Sequence, residues 1–593
     1  MKFNLKEIWS IIDIKEKRKI ISVTIAQAFS GLIDMIGVIS ILPFLSLLTD
    51  PDIINKNGYL KKISVFLDLT YNESLLFFGI MSFLIIFFNQ FTRIFTNWYA
   101  SFVSHSLWLN LTQKMFYYFL NQDYNYYLKN NTYSLLEKIS QQVNAAQSGV
   151  IEPLFKLLSH IFTSLFIFAT LFYLEPSLTL LGIFFIFLIF LFFFKLLRPK
   201  LEKLGKMETE TSKKLINLYG DSFNAIKEIK ILHNEEYYRN IFLPLGQKHI
   251  DIQVKRRLMI DFPNGLAEIF SFGIIIALTL FLIFTATGFS KIVGTLALFG
   301  FGLKRIIPAA NGIFQQISNI QFYQASFERV KNELIDATIK NKKYEDEKEF
   351  KKMVFKNSIQ IKDATFNYEN YKKPSIEEIN LTINKGQFVG ITGSTGSGKS
   401  TLIDILLGLI ELKDGSILID NEKLTSRSIK KWHAIVGYVD QTGYLSDNSI
   451  KNNIAFGIDE SNIDLENIKR SAKLAKISDF IEKDLPNSYE TFIGERGVRL
   501  SGGQRQRIRI ARAIYRKPQI LILDEATSAL DSNTEKEVIN SLKYINKNLT
   551  VIMITHRTST LKNCDNIFYL KNGKIVEEGK LEKLLEKNLK LDY

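Results

Sequence analysis

A nine-residue loop rich in glycine and hydroxyl side chains carries the clearest chemistry in this chain. Its residues are Gly393, Ser394, Thr395, Gly396, Ser397, Gly398, Lys399, Ser400 and Thr401. The loop follows a strand-like apolar segment at 388–392 and precedes a helix-like segment at 402–409. Glycines let the backbone aim its N–H groups at phosphate oxygens, Lys399 can reach the β- and γ-phosphates, and the Ser400 hydroxyl can ligate Mg²⁺. The strand–loop–helix context therefore predicts a nucleotide phosphate site rather than a flexible Gly/Ser loop.

A second chemical signal is a pair of carboxylates at the end of a buried strand. The apolar residues 520–523 are followed directly by Asp524 and Glu525. We predict that Asp524 holds Mg²⁺ through water and that Glu525 orients or deprotonates the attacking water. An apolar strand that ends in acids is common, so this interpretation depends on its position downstream of the phosphate loop.

The segment Leu500-Ser501-Gly502-Gly503-Gln504 precedes a helix-like run at 505–516 and resembles the signature sequence of ABC (ATP-binding cassette) ATPases. With the phosphate loop and the acidic strand, the resemblance covers about residues 356–580. It implies an α/β P-loop ABC ATPase domain that uses ATP and Mg²⁺. In that family the signature meets the phosphate loop of the opposite subunit. The resemblance thus implies a homodimer in which Ser501, Gly502, Gly503 and Gln504 complete the ATP site of a second copy.

Other residues of the ATPase half match further positions of the family. Tyr368 resembles the aromatic residue that stacks on adenine, and Asp531 lies in a segment that resembles the loop crossing the dimer interface. Gln441 resembles the glutamine that senses Mg²⁺, and His556 the histidine that contacts the γ-phosphate. The resemblance implies that Glu525, His556 and Gln441 form the catalytic set, and that Ser400, Gln441 and Asp524 hold the metal. Taken singly, these residues would be read as packing or surface side chains.

Composition limits what the rest of the chain can be. The 593 residues are 47% hydrophobic and carry a formal net charge of +15, with basic residues spread beside apolar segments. That placement is typical of membrane-flanking charge rather than of a nucleic-acid-binding tail. The single cysteine, Cys564, excludes an intrachain disulfide. The arginines at 505–512 fit a helix beneath a nucleotide site, so we expect no nucleic-acid partner.

Six segments in the first half are apolar enough to cross a bilayer, which takes about 20 residues. They are 20–48, 74–100, 151–174, 177–197, 263–286 and 292–318. Basic clusters at 15–19, 195–206 and 255–257 lie on one side of this arrangement. By the positive-inside rule that side is cytoplasmic. We therefore predict a multi-pass protein of the inner (plasma) membrane with the N-terminus and the nucleotide-binding domain in the cytoplasm.

These patterns predict an α-helical transmembrane domain fused to an α/β ATPase domain. The predicted boundaries are an interfacial elbow helix at 1–19, a transmembrane domain at 20–330, a linker at 331–355 and the nucleotide-binding domain at 356–593. The connections 101–150 and 198–262 are polar and helix-like, so we expect long helical extensions into the cytoplasm, the alternative being two soluble inserts. Residues 59–69 fit a short amphipathic helix.

Charged residues inside the predicted spans point to cargo, because charges are costly in lipid. They are Asp34, Arg93, Glu268, Lys304 and Arg305. Arg93 and Arg305 are candidates to bind an anionic group such as a pyrophosphate. The alternative is structural pairing, of Arg93 with Asp34 or of Arg305 with Glu268.

The membrane half resembles the bacterial PglK-type lipid-linked oligosaccharide flippases. The resemblance rests on Asp34 with Pro43-Phe44, on the 59–69 segment and on the run 305–311. The family has further basic residues where this chain has Asn264 and Gly312. The resemblance implies ATP-driven outward flipping of a polyprenyl-pyrophosphate glycan, with membrane lipids and a second copy as partners. The alternatives are export of peptides, drugs or other lipids and, in another class, an ATP-gated channel, which the intact catalytic positions disfavour.

Overall fold

The structure of the protein is a computed structural model that describes residues 12–49, 58–174, 176–284, 289–345, 353–368, 373–545 and 548–586. The chain forms two units, Met1–Gln122 with Tyr126–Asp346, and Glu347–Tyr593 with Asp123–Asn125. The predicted arrangement, an α-helical domain with long helices followed by an α/β domain, is confirmed.

The described residues before 346 form long helices and short connecting ones. They are α1 Ile14–Thr49, α2 Gly58–Phe66, α3 Tyr71–Leu120, α4 Tyr124–Lys129, α5 Thr132–Glu137, α6 Val143–Ala146, α7 Glu152–Leu174, α8 Pro176–Asn224, α9 Ile226–Leu232, α10 Glu235–Phe284 and α11 Phe289–Glu345. Two π-helical turns, Lys138–Gln142 and Gln147–Ile151, join α5, α6 and α7 into one helical stretch. Local sequence fixes some starts: α3 begins at a capping box in which the Thr70 N–H donates to Glu73 at 2.8 Å.

Long apolar helices suit a bilayer because a helix satisfies its own backbone hydrogen bonds. In the part of the chain that the structure describes, four helices are long and apolar enough to cross a membrane. These are Ile14–Leu48, Tyr71–Leu120, Thr132–Leu174 and Glu235–Ala277. The helices α8 and α11 run through the other two predicted spans, and the number of six spans stays a prediction. The expected helical extensions are present, since α3, α8 and α10 continue through the polar segments without a break at 100, 198 or 262.

The structure corrects two of the predicted boundaries. Residues 14–19 are the first turns of α1 rather than a separate elbow helix, and residues 1–11 lie outside the described residues. The predicted linker at 331–355 is wrong in its first part, because α11 continues to Glu345. Lys and Glu are good helix formers, so a charged run at the end of a helix need not end it. Residues 346–352 lie outside the described residues.

Glycines let the membrane helices α1, α3, α7 and α11 approach each other closely. A side-chain carbon added at Gly31 of α1 would come within 3.1 Å of Phe162 on α7, and one at Gly302 of α11 within 2.8 Å of Leu171 on α7. Close approach through small residues is the usual way in which helices pack in lipid. Between these helices lies a core that includes Val103, Val143 and Val150, all fully buried.

The second unit contains two sheets. The strands are β1 Ser358–Phe366, β2 Ile376–Asn384, β3 Phe388–Gly393, β4 Asp414–Ile419, β5 Glu422–Lys423, β6 Val436–Val439, β7 Ile520–Asp524, β8 Thr550–Ile554, β9 Asn566–Lys571 and β10 Lys574–Gly579. An antiparallel sheet has the order β2-β1-β4-β5, and a six-stranded sheet has the order β10-β9-β3-β8-β7-β6. In the latter, β9, β3, β8, β7 and β6 are parallel.

Helices cover the six-stranded sheet, and its central strands read as continuous apolar runs because both of their faces are buried. The helices are α12 Lys399–Leu406, α13 Ile429–His433, α14 Ile450–Ile454, α15 Leu465–Leu474, α16 Gly502–Tyr515, α17 Ser532–Ile545, α18 Thr558–Leu561 and α19 Leu581–Glu586. One core packs β1, β2 and β4 against β3, β9 and α12, and a second lies under α14 to α17.

Candidate functional site

Four neighbouring parallel strands end at one edge of the six-stranded sheet, and the predicted site residues follow those ends. The phosphate loop follows β3, Glu525 directly follows β7, and Gln441 and His556 are the second residues after β6 and β8. Because the carboxyl ends of parallel strands meet at the same edge, residues more than a hundred positions apart come together there.

The phosphate loop is closed by backbone conformations that favour glycine. Gly398 has φ +102°, and a side-chain carbon there would lie 2.6 Å from the Ser375 carbonyl oxygen. The Lys399 Nζ curls back and donates to the carbonyls of Gly393 and Ser394, at 2.8 Å each. Burial lowers the pKa of the Lys399 ammonium, and the carboxylates of Glu525 and Asp524 oppose that effect. The loop therefore holds its cation directly above the turn that is predicted to receive phosphate.

The hydroxyl side chains of the loop differ in their surroundings. Ser400, in the first turn of α12, is exposed, as are Thr395 and Gly396. The Ser397 hydroxyl is buried without a hydrogen-bond partner among the described residues. Thr401 is buried beside Tyr368, whose hydroxyl lies 3.5 Å from its Oγ1, and the Tyr368 ring stands edge-on to Phe366.

The Asp524 carboxylate is buried near other carboxylates, an environment that would favour a bound cation. Asp524 is 7% exposed, and its carboxylate makes no hydrogen bond or ion pair within the described residues. Burial, with added repulsion from Asp440 and Glu525, raises its pKa to about 6. The described residues contain no group of three carboxylate, histidine or cysteine side chains that could hold a metal. A site with one carboxylate and the Ser400 hydroxyl instead fits Mg²⁺, which takes most of its ligands from water and phosphate.

Glu525 is held by contacts on both of its carboxylate oxygens. Gln441 Nε2 donates to Oε2 at 2.6 Å, and His556 Nε2 lies 3.4 Å from Oε1. The Glu525 backbone has φ +45°, a strained conformation for a residue with a side chain. The structure thus brings the three predicted catalytic residues into one cluster.

Gln506, on α16, is a positioning residue that the sequence did not reveal. It is 2% exposed; its Nε2 donates to the Glu525 carbonyl at 3.1 Å and its Oε1 accepts from the Ala529 N–H at 3.0 Å. One buried amide therefore holds the strained Glu525 and the loop that follows it. The sequence offered one signal for this role: Gln506 is a polar residue one turn into α16, a helix with an apolar face.

Arg557 holds the same loop from its other side. Its guanidinium donates to the Ser528 and Leu530 carbonyls at 2.8 and 3.0 Å and to Glu535 at 2.8 Å. Asp531, predicted at the dimer interface, caps α17 by accepting from two N–H groups, and this hydrogen bonding lowers its pKa. The loop conformation is therefore set within one chain.

The predicted signature forms the start of α16. The Ser501 hydroxyl accepts from the Gln504 N–H at 3.3 Å, and the Gln504 side chain accepts from the Ser501 N–H at 2.8 Å. This capping box fixes the helix N-terminus. Gly503 lies close to the Ala529 carbonyl, 3.2 Å from where a side-chain carbon would stand, and Gly502 packs on the Ala529 side chain.

The arginines of α16 are engaged with backbone carbonyls of the same unit. Arg509 donates to the carbonyls of Asp440 and Gln441 at 3.1 and 3.2 Å, so it holds the segment that carries Gln441. Arg512 donates to the Tyr444 and Asn453 carbonyls, both at 2.7 Å. The density of positive charge on this helix is explained by these contacts.

In the membrane unit, the structure shows neither of the two ion pairs named as the structural alternative among the described residues, and it shows a different pair. Arg305 Nη1 lies 3.6 Å from Asp34 Oδ1, so the partner of Asp34 is Arg305 rather than Arg93. Arg93 is half-buried on α3, and its guanidinium makes no hydrogen bond or ion pair in the described part of the chain. The charges alone could not identify the pair, because which helices are neighbours depends on their packing.

An α/β ATPase unit with a phosphate loop and a signature helix, on one chain with a bundle of long apolar helices, defines an ABC-type exporter half-transporter. Family models support both halves: one described as "ABC transporter" matches residues 376–528, and one described as "ABC transporter transmembrane region" matches residues 20–300. The chain belongs to the ABC transporter family. It is a multi-pass membrane protein and an ATP-driven translocase.

Relatives extend over most of the chain. An ATP-dependent lipid A-core flippase of Desulfotalea psychrophila is 32% identical over 491 residues, 82% of this chain and 83% of that protein. The heterocyst differentiation ATP-binding protein HepA of a Nostoc species is 30% identical over 519 residues, 86% of this chain and 82% of that protein. The structure of a bacterial Atm1-family ABC exporter with ATP bound is similar in fold, with a TM-score of 0.80 and 20% identity over 96% of this chain and 97% of that one.

Proposed function

We propose that the protein is a homodimeric flippase that moves a lipid with an anionic glycan headgroup outward across the inner (plasma) membrane, with its N-terminus and ATPase units in the cytoplasm. A polyprenyl-pyrophosphate oligosaccharide is the leading cargo. Lipid A-core flippases are among the relatives, which supports a lipid over a peptide or a drug. Those other cargoes remain the alternative.

Two features of the membrane unit carry this proposal: an apolar cavity, and a cation on one of the helices that line it. The cavity, of about 570 Å³, lies between α7, α8 and α11. Its walls include Leu165, Phe168, Phe190, Phe194, Ile313 and Phe314. Ile306 also lines it, and the preceding residue is Arg305, a cation within the membrane unit. A hydrocarbon tail fits the apolar walls, and an anionic headgroup fits the guanidinium.

The ATP site is assigned to the residues at the strand ends. The backbone of 393–398 and Lys399 would receive the phosphates, and Tyr368 would stack on the base. Ser400, Asp524 and Gln441 would hold Mg²⁺, which would neutralise phosphate charge. Because Gln441 bonds Glu525 in the structure, it has to release that carboxylate to reach the ion. Glu525 then orients the attacking water, and His556 contacts the γ-phosphate.

The second copy supplies the other wall of each ATP site. Ser501, Gly502, Gly503 and Gln504 present a helix N-terminus, which favours an anion, to the γ-phosphate bound by the opposite protomer. Asp531 lies beside them at the interface. Closure of the two ATPase units on ATP, followed by hydrolysis at Glu525, drives the cycle.

The ATPase assignment is tested with Glu525→Gln in the purified full chain. We expect ATP binding to persist and hydrolysis to fall by more than a hundredfold, because the amide cannot act on the water. Unchanged hydrolysis removes Glu525 from its role. Ion flux down a gradient through the ATP-locked variant would support the channel alternative instead.

The cargo assignment is tested by flipping of a polyprenyl-pyrophosphate oligosaccharide in proteoliposomes. Arg93→Ala and Arg305→Ala should each slow flipping at least tenfold while ATP binding persists. Lys304→Ala is the matched control, because this exposed cation neighbours Arg305 and its ammonium makes no hydrogen bond or ion pair within the described residues. An ATPase-active preparation that moves none of this lipid contradicts the proposed cargo.

A further inference from the structure

Asp34 is a fully buried carboxylate that joins four helices of the membrane unit. It is 1% exposed, and its partners come from α3, α7 and α11. Asn89 Nδ2 donates to Oδ1 at 2.9 Å, Thr163 Oγ1 donates to Oδ2 at 3.3 Å, and Arg305 Nη1 lies 3.6 Å from Oδ1. Each oxygen therefore has a neutral donor of its own, independent of the arginine.

Glycines place these donors. A side-chain carbon at Gly37, one turn beyond Asp34, would stand 3.0 Å from Asn89 Nδ2, so glycine makes room for that amide. A side-chain carbon at Gly312, two turns beyond Arg305, would stand 2.3 Å from His160 Nε2, so glycine brings α11 onto the part of α7 that carries Thr163. The cluster is thus a built feature of the helix packing.

Arg305 is held far more loosely than Asp34. A guanidinium has five N–H donors, and in the described part of the chain Arg305 forms no hydrogen bond with any of them. Its one ion-pair contact is long, and its side chain keeps 22% of its surface accessible, against 1% for Asp34. The carboxylate is fixed, whereas the cation can turn toward another anion.

We propose that Asp34 is an internal counter-ion that the anionic headgroup of the cargo displaces from Arg305, and that it thereby sets the affinity and charge selectivity of the cargo site. This inference rests on the proposed function, in which Arg305 binds cargo. In the empty site, Arg305 is neutralised by Asp34. When a phosphate-type group arrives, the guanidinium exchanges one anion for another, and Asn89 and Thr163 continue to satisfy Asp34.

This exchange of anions explains how the Arg305 guanidinium can remain inside the membrane when no cargo is bound. An unpaired arginine in lipid is costly, and a tightly bound counter-ion would exclude cargo. The long contact between Arg305 and Asp34 avoids both costs: it neutralises the guanidinium, and it can be broken because Asp34 has other donors. Neutral lipids gain nothing at such a site, because they cannot replace Asp34.

Two substitutions with opposite expected effects test the proposal. In phosphatidylcholine nanodiscs, a polyprenyl pyrophosphate is titrated and the half-saturating concentration for binding of the radiolabelled lipid is measured. Asp34→Asn removes the competitor and should lower that concentration about tenfold, the lower end of the coupling of close charge pairs. Thr163→Val removes a neutral donor, so Asp34 depends more on Arg305. This variant should raise the half-saturating concentration about threefold. The uncharged polyprenol should show neither shift.

The controls separate failure of this inference from failure of the proposed function. Thr170→Val is matched to Thr163→Val, because the Thr170 hydroxyl bonds only the Phe166 carbonyl, and it should change nothing. Arg305→Gln should abolish binding with or without Asp34→Asn. If Arg305→Gln binds like the wild type, the proposed cargo site itself is wrong.

The counter-ion role is overturned if Asp34→Asn and Thr163→Val shift the half-saturating concentration in the same direction. It is also overturned if Asp34→Asn leaves that concentration unchanged. If Asp34→Asn does not fold, Thr163→Val decides alone, since unchanged or tighter binding contradicts the proposal.

Discussion

Replacing Gln506 by leucine should disable hydrolysis without touching a residue that meets ATP. The side chain is buried and makes two hydrogen bonds, to the Glu525 carbonyl at 3.1 Å and from the Ala529 N–H at 3.0 Å. At about 1 kcal/mol for each lost bond, the expected loss of folding free energy is roughly 2 kcal/mol. Glu525 is also strained at φ +45°, which costs roughly 1–2 kcal/mol for a residue with a side chain. With one anchor removed, this backbone can relax and move its carboxylate.

We therefore expect Gln506→Leu to lower kcat at least tenfold and to leave the affinity for ATP within about twofold, because misplacement of a catalytic group by about 1 Å can cost a hundredfold. The assay is steady-state ATPase activity of the full chain with nucleotide binding measured separately. Gln519→Leu is the matched control. Gln519 also joins two backbone groups, the Phe355 N–H at 3.0 Å and the Met353 carbonyl at 3.4 Å, but it does not touch Glu525.

The control should lose a similar amount of stability in thermal denaturation and keep its kcat. Equal loss of kcat in Gln506→Leu and Gln519→Leu would mean that general destabilisation, and not the position of Glu525, limits hydrolysis. A Gln506→Leu protein with normal kcat would refute the reasoning outright.

Three further predictions concern other contacts of the structure. Because burial raises the pKa of Asp524 from its ordinary value of 3.8 to about 6, its contribution to stability is fully present only below the ordinary value and is lost as pH rises to about 6; Asp524→Asn should therefore raise the melting temperature without nucleotide by more at pH 8 than at pH 4. Gly205→Ala should cost about 2 kcal/mol or more in thermal denaturation, since its new carbon would lie 1.8 Å from the Phe322 carbonyl oxygen, whereas Gly265→Ala, with no atom within 4 Å, should not destabilise. Arg557→Lys keeps the charge but replaces a planar fork, whose two nitrogens reach separate acceptors, with a single nitrogen, so ATPase activity should fall several-fold with ATP binding unchanged; full activity would contradict the role of Arg557 in holding the loop.

The sequence predicts those parts of the ATP site whose functional residues are contiguous in the chain. The phosphate loop and the signature each occupy one short segment whose context, strand then loop or loop then helix, can be read locally. Gln441 and His556 were placed by their order in the family pattern, and the parallel strands bring both to Glu525. Gln506 was missed because its contacts depend on which face of α16 meets β7.

The membrane unit shows where sequence reasoning stops. The sequence singles out both Asp34 and Arg305, yet their pairing with each other was not among the alternatives considered, because a list of charges does not say which helices touch. Asn89 and Thr163 are neutral and sit in apolar runs, so nothing in their own sequence marks them as donors to Asp34. The charged end of α11 was read as a linker because charge indicates solvent and does not distinguish a solvated helix from a coil.

The place of β8 in the six-stranded sheet determines when during synthesis the ATPase unit can be completed. β8 lies between β3 and β7, so the strands that carry the phosphate loop and Asp524 have no neighbour on their inner edges until Thr550–Ile554 has left the ribosome. Chains fold from the N-terminus as they are made, and unpaired strand edges are sites of aggregation. A nascent chain that ends before Thr550 therefore has its phosphate loop but no closed sheet beneath it, so translation must pass β8 before an ATP site exists.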